Sequence, residues 1–327
     1  MSTTTGIEWT DATWNPVSGC TKVSQGCKHC YAETWAKRHF GEFSKDHNRA
    51  FTDIRTHLEK LTLPLTWQKP RRIFVNSMSD LFHEKIPDEF IDQVFAVMAE
   101  AQHHTFQVLT KRAERMAAYF AAPDLEDRIT EAWVILAKDA TSETDRSTWQ
   151  IMLPLKNVWL GVSVEDLKTA DERIPLLLQT PAAVRFLSCE PLFGPVDLRQ
   201  FLNRRCAQCE GTASIPVPGG GKPCPRCFDV GQFVDPDQLS WVIVGGESGS
   251  GARPMHPAWV RSIRDQCLAA GVPFFFKQWG KHLPHGQCDT DGYITVYDPS
   301  GIWYRTVGKK AAGRLLDGRI WNEMPNK

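Results

Sequence analysis

The sequence predicts an α/β protein whose core is a full or partial (β/α) barrel, and three observations carry that prediction. Short apolar runs rich in β-branched and aromatic residues recur along the chain. Stretches with apolar residues at helical spacing lie between them. The apolar runs also end, one after another, in charged or hydroxyl residues. Runs with almost no polar interruption are strands buried on both faces, and their alternation with helices implies a parallel sheet with crossover connections. A doubly wound open sheet has the same periodicity and stands as the alternative.

A short first strand is predicted near residues 9–14. Further strands are predicted at 72–78 (RIFVNSM), 105–111 (TFQVLTK), 158–164 (VWLGVSV), 184–190 (VRFLSCE), 241–247 (WVIVGGE) and 274–279 (FFFKQW). Between them, 88–101 opens after Pro87 and sets Phe90, Val94, Val97, Met98 and Ala101 at helical spacing. Residues 166–178 and 257–270 read the same way, with Gly271 where a helix C-cap is expected. Two segments break the rhythm. Residues 201–238 carry four cysteines around PVPGGGKP without helical or strand period, and read as an insert between two core strands. From residue 281 the chain is rich in Gly, charge and isolated aromatics, and reads as an extension packed on the core. The expected division is a core of 1–200 and 239–280, an insert of 201–238 and a C-terminal extension of 281–327.

The 327 residues suit one large α/β domain or two ordinary ones. Lys+Arg and Asp+Glu both number 38, which argues against a basic coat for duplex DNA but leaves room for a local basic groove. Apolar residues at 42% and charged residues at 23% exclude wholesale disorder. The N-terminal MSTTTGIEWT has no apolar leader segment, and no window reaches the roughly eighteen apolar residues of a membrane span. The expectation is a cytoplasmic protein with no membrane partner.

Without a leader the ten cysteines are expected to be reduced thiols. Their clustering is what metal coordination requires. Cys206/Cys209 and Cys224/Cys227 are two C-x-x-C pairs with fourteen residues between them, a spacing that brings four thiolates onto one tetrahedral Zn²⁺. About forty residues do not build a core alone, so the metal would fold this zinc-knuckle insert. Arg204, Arg205, Lys222 and Arg226 would give it a basic surface. A second group, Cys20, Cys27 and Cys30, lies within eleven residues. It suits either Zn²⁺ with His29 as a fourth ligand or a [4Fe–4S] cluster with one iron left open. Gly19 and Gly26 would let the backbone wrap a cubane closely.

These residues carry a resemblance. WNPVSGC, GCKHCYAE, VNSMSDLFHE, VLTKR, VWLGVSVE, RFLSCEPLFGPV, GGESG and the tail GKKAAGRLLDGRIWNEMP together resemble the phage- and bacteria-associated three-Cys-motif family. More distantly, a C-x-x-C followed by Tyr ahead of a βα series resembles radical S-adenosylmethionine (AdoMet) enzymes. The first gap here holds six residues instead of the three usual in those enzymes. The resemblance implies a barrel of the radical AdoMet type, a [4Fe–4S] cluster on Cys20, Cys27 and Cys30, and AdoMet chelated at its open iron. It also implies an electron donor such as flavodoxin or ferredoxin, and a partner protein encoded nearby.

In (β/α) barrels chemistry gathers at the C-terminal ends of the strands. Here those ends carry Ser77, Ser79 and Asp80; Thr110, Lys111 and Arg112; Ser163 and Glu165; Ser188, Cys189 and Glu190; Gly245, Gly246 and Glu247; and Lys277 and Gln278. Helix N-capping explains any one of them, whereas six polar ends in series predict a shared pocket. The resemblance implies that Ser77, Ser79 and Asp80 contact the AdoMet amino group, that Ser163 and Glu165 hold its ribose or carboxylate, and that Lys111 binds a carboxylate or phosphate. Glu190, ahead of Pro191, is expected at the pocket rim, and Gly246 and Glu247 where backbone approaches the adenine or an anionic group. No catalytic acid or base is singled out.

Trp303, Tyr304 and Trp321 interleave with Arg305, Lys309, Lys310, Arg314 and Arg319, a pattern that suits nucleotide stacking and phosphate contact. The functional reading is a radical AdoMet-like [4Fe–4S] enzyme that modifies or repairs a nucleic acid or nucleotide. The alternatives are a zinc-dependent nucleic-acid-binding or nuclease-accessory protein without radical chemistry, and a scaffold for a partner enzyme.

Overall fold

The computed structural model describes residues 5–39, 49–138, 150–202, 214–217, 220–224, 238–287 and 296–325. Seven strands form one parallel sheet: β1 (Ala12–Trp14), β2 (Arg72–Val75), β3 (Thr105–Thr110), β4 (Val158–Ser163), β5 (Val184–Cys189), β6 (Trp241–Gly245) and β7 (Phe274–Gln278). They pair in the order in which they occur in the chain. A doubly wound sheet reverses its order at a switch point. This one never reverses, so the fold is a partial barrel.

Among the described residues the longer helices are α1 (Tyr31–His39), α2 (Asp88–Glu100), α3 (Ala113–Phe120), α4 (Leu125–Lys138), α5 (Leu167–Gln179) and α6 (Pro257–Ala270). The expected helices form where their signals lie. Asp166 caps α5 in a reciprocal box with Thr169, and α6 ends at Gly271 in the left-handed conformation. The periodicity did not predict α1, α3 or α4. Only Ala32 and Ala36 of α1 are buried, so it has almost no apolar stripe to read.

Alternation along each strand divides the core. Ile73, Val75, Val108, Leu160, Val162, Leu187, Val242, Val244, Phe274 and Phe276 pack on the helix-covered side. Phe74, Trp159, Phe186, Trp241, Ile243 and Phe275 point the other way and cluster with Trp9 inside the barrel. Trp9 lies 4.8 Å from Phe74, and the Trp241 ring meets Trp159 and Phe275 edge-on at 5.9 and 6.0 Å. Offset and edge-on aromatic contacts of this kind make a dense floor. The interior above it is left to smaller and polar residues.

The insert contains an antiparallel hairpin, Ser214–Val217 with Gly220–Pro223, where the sequence shows no strand period. Cys224 follows it and is buried; Cys206, Cys209 and Cys227 lie outside the described residues, as do Arg204, Arg205 and Arg226. In the extension, His282–Pro284, Trp303–Thr306 and Val296–Tyr297 form a small antiparallel sheet. The tail then ties the barrel together. Asn322 bridges to Phe275 of β7, the Trp241 indole donates to the Glu323 carbonyl at 2.8 Å, and Arg72 of β2 reaches Met324. Tyr304 and Trp321 are buried in this packing, which removes them from the expected nucleotide-stacking set; Trp303 stays exposed against Tyr297. Among the described residues no helix is long and apolar enough to cross a membrane.

Candidate functional site

The cysteine loop leaves β1 and passes over the C-terminal ends of the other strands. Three carboxylates at those ends hold it. Glu165, after β4, accepts from the Ser24 hydroxyl at 2.6 Å, the Gly26 amide at 2.9 Å and the Lys111 ammonium at 2.5 Å. Glu247, after β6, binds Arg253 through both oxygens, and Arg253 donates to the Gln25 carbonyl at 3.0 Å. Asp80, after β2, accepts from Thr110, from the Lys111 amide and from Arg112; Arg112 in turn reaches the Cys20 sulfur at 3.7 Å and the Thr21 hydroxyl at 2.9 Å. Buried carboxylates are tolerated only when paired and hydrogen-bonded, and each of these uses the loop or its anchors as partner.

The electrostatics follow. Burial alone would push the Glu165 carboxyl up, but the Lys111 charge and the bonds from Lys111, Ser24 and Gly26 outweigh it and hold it down at about 2. Cys20 is pushed up to about 11, first by burial and then by the Asp80 charge, against the opposing pull of Arg112. Burial also raises Cys30. A metal that binds these sulfurs must displace their protons.

Beneath the loop is a cavity of about 380 Å³. Cys20, Cys27 and Cys30 all line it. So do Ser77, Ser79, Asp80, Lys111, Ser163, Glu190, Gly246 and Glu247. Glu165 stands behind the wall, turned to the loop. Several of these residues have their polar atoms committed elsewhere. Ser79 donates to the Val17 carbonyl at 2.9 Å, Ser77 to the Asn15 side chain at 3.1 Å, and Glu190 accepts from Lys277 at 2.7 Å. Two of the glycines also serve packing. A Cβ on Gly26 would lie 2.5 Å from the Glu165 carboxyl, and one on Gly246 would lie 2.1 Å from the Trp279 carbonyl oxygen. Gly26 therefore makes room for Glu165, and Gly246 for the turn after β7. Cys189 is in the helix-side core, away from the cavity, with its thiol pushed up to about 12 by burial.

Sequence reasoning missed Asn76 and Leu109, which also line the cavity, as do Trp9 and Lys309. Asn76 was legible as the first polar residue after RIFV. It sits in the left-handed region at φ 60°, which Asn tolerates better than most residues. Its side-chain oxygen accepts from the Val17 amide at 3.3 Å, while Nδ2 has no partner among the described residues. The Gln278 amide is fixed likewise, with Nε2 on the Gly246 carbonyl at 2.7 Å and Oε1 unpartnered. The Trp9 indole N–H is unpartnered too. Buried polar groups in native proteins are nearly always paired, and these three unpartnered atoms all belong to residues that line the cavity. His29 also lines the cavity, its ring packed on Gly251. Yet among the described residues no three His, Cys, Asp or Glu side chains converge as ligands of a single ion.

No curated protein matches the sequence. A solved structure of a mutant spore photoproduct lyase is similar over 95% of this chain and 74% of its own, at 11% identity and a TM-score of 0.38, too slight a likeness to bear on function. A family model described as "Protein of unknown function (DUF5131)" matches residues 4–325, and the chain belongs to that family.

Proposed function

We infer that this chain is a radical AdoMet-like enzyme that acts on a nucleic acid or nucleotide. The observation that carries the reading is the gathering of Cys20, Cys27 and Cys30 on one cavity, over the polar ends of a parallel barrel. The donor set fits the group. Three thiols line one wall, and thiolate is the ligand type that a [4Fe–4S] cluster takes. When bound, a [4Fe–4S] cluster with AdoMet supplies a 5′-deoxyadenosyl radical by one-electron reductive cleavage.

The protein's own residues do the rest. Cys20, Cys27 and Cys30 would hold the cluster. Glu165, Glu247 with Arg253, and Asp80 with Arg112 fix the loop that carries them. The Ser163 hydroxyl and the Asn76 and Gln278 amides, all on residues lining the cavity, would bind polar groups of AdoMet or substrate. The aromatic floor excludes water from beneath the reacting atoms. In the insert, Cys206, Cys209, Cys224 and Cys227 would hold a structural Zn²⁺. Flavodoxin or ferredoxin is the class of donor such chemistry draws on, and the exposed Trp303, with Lys309 on the cavity wall paired to Glu8 at 3.0 Å, would be the extension's contacts for a nucleotide substrate.

Anaerobic reconstitution tests the reading. A brown protein with about four irons per chain, releasing 5′-deoxyadenosine from AdoMet and dithionite, supports it. A colourless protein that holds zinc alone overturns it in favour of the zinc-dependent binding protein.

A further inference from the structure

We propose that Arg112 is a positioning residue that places a fixed cation against one corner of the metal site, and so raises the reduction potential of a cluster bound there. This rests on the iron–sulfur reading above. The guanidinium donates to the Cys20 sulfur at 3.7 Å, and its orientation is set by groups other than that sulfur. Nε donates to Glu84 at 3.0 Å, one terminal nitrogen to Asp80 at 3.2 Å, and the other to the Thr21 carbonyl and hydroxyl at 3.2 and 2.9 Å. Its side chain is 8% exposed. A planar fork held at every edge cannot swing away from the sulfur.

The other two sulfurs differ. Cys27 has the Ser24 hydroxyl at 3.9 Å, and Cys30 has the backbone of Ala32 and Glu33. Among the described residues no cationic side chain donates to either. Cys20 is therefore the sulfur of the three that has a cationic donor beside it, with the Asp80 carboxylate acting on it in the opposite sense. Reduction adds one electron and no proton to an already anionic thiolate-bound centre. A cation and an N–H donor beside a ligand sulfur stabilise the more negative state, which raises the potential. Asp80 and Glu84 oppose this with negative charge, while keeping the guanidinium in place.

The test is a dithionite titration of the anaerobically reconstituted full chain, followed by electron paramagnetic resonance, with iron content measured in parallel. Arg112→Gln is expected to lower the midpoint. Arg112→Lys, which keeps the charge but not the fork, is expected near wild type. Glu84→Gln, which removes an opposing charge at the exposed end, is expected to raise it. A purely structural role would make the Lys and Gln variants alike. Coincident midpoints in iron-loaded Gln and wild-type proteins overturn the inference alone. If the Gln variant does not fold, a Glu84→Gln midpoint at or below wild type overturns it. A wild-type protein that takes up no iron overturns the iron–sulfur reading, and this inference with it.

Discussion

Gly26 and Glu165 are 139 residues apart in sequence and touch so closely that a β-carbon at residue 26 would overlap the carboxyl group. The contact lies one residue before Cys27 and fixes where that sulfur sits. Gly26→Ala is expected to displace Glu165 and to cost about 1–3 kcal/mol, the usual range for overpacking. It should also lower the iron retained after reconstitution. Chemical denaturation and iron analysis check the two effects; unchanged stability together with full iron content would contradict the contact.

The same carboxylate gives a pH dependence. Glu165 has an ordinary value of 4.5, held down at about 2 in the folded protein. A depressed folded-state value contributes stability that is fully present above about pH 4.5 and is lost as pH falls toward 2, because the unfolded chain binds the proton first. The whole effect is on the order of 3 kcal/mol. Denaturation of wild type and Glu165→Gln between pH 7 and 3 should show the wild type losing more stability on acidification, with the variant weaker at neutral pH.

The two cysteine groups should be separable. Cys27→Ala is expected to abolish iron binding and leave zinc bound through Cys206, Cys209, Cys224 and Cys227. Metal analysis of the purified variant reads both metals at once. Loss of both would contradict independent sites.

The strands were legible because a sheet buried on both faces needs unbroken apolar runs such as WVIV and FFF, which are too short and too rich in β-branched and aromatic residues for a buried helix. Their polar ends were legible as a group for the same reason: a monotonic parallel order brings Asp80, Glu165, Glu190 and Glu247 to the same end of the sheet. What each does there was not legible. Glu165 and Glu247 read as ligand-facing, yet their partners are Ser24, Gly26 and, through Arg253, Gln25, more than a hundred residues upstream. Local pattern carries no information about contacts at that separation. Gly246 read as a ligand cradle, but the Trp279 carbonyl fills the space. Tyr304 and Trp321 read as a nucleotide surface because interleaved basic and aromatic residues look alike whether they cover a core or face solvent.

Asn76 offers the sharpest separation of fold from ligand. Its left-handed backbone and its bond from the Val17 amide are structural demands, while its Nδ2, unpartnered among the described residues, would donate to an acceptor on the ligand. Asp also tolerates the left-handed region and offers an oxygen to Val17, but puts an acceptor where the free donor was. Asn76→Asp is therefore expected to keep stability within about 1 kcal/mol and to weaken AdoMet binding at least tenfold, since an open buried acceptor facing an acceptor loses a hydrogen bond and adds repulsion. Asn76→Val fails on the first demand, with about 1–3 kcal/mol of backbone strain. Thermal melting and equilibrium dialysis with AdoMet read the two properties apart. Unchanged dialysis with Asn76→Asp would remove Nδ2 from the binding surface and leave it a packing defect of the barrel.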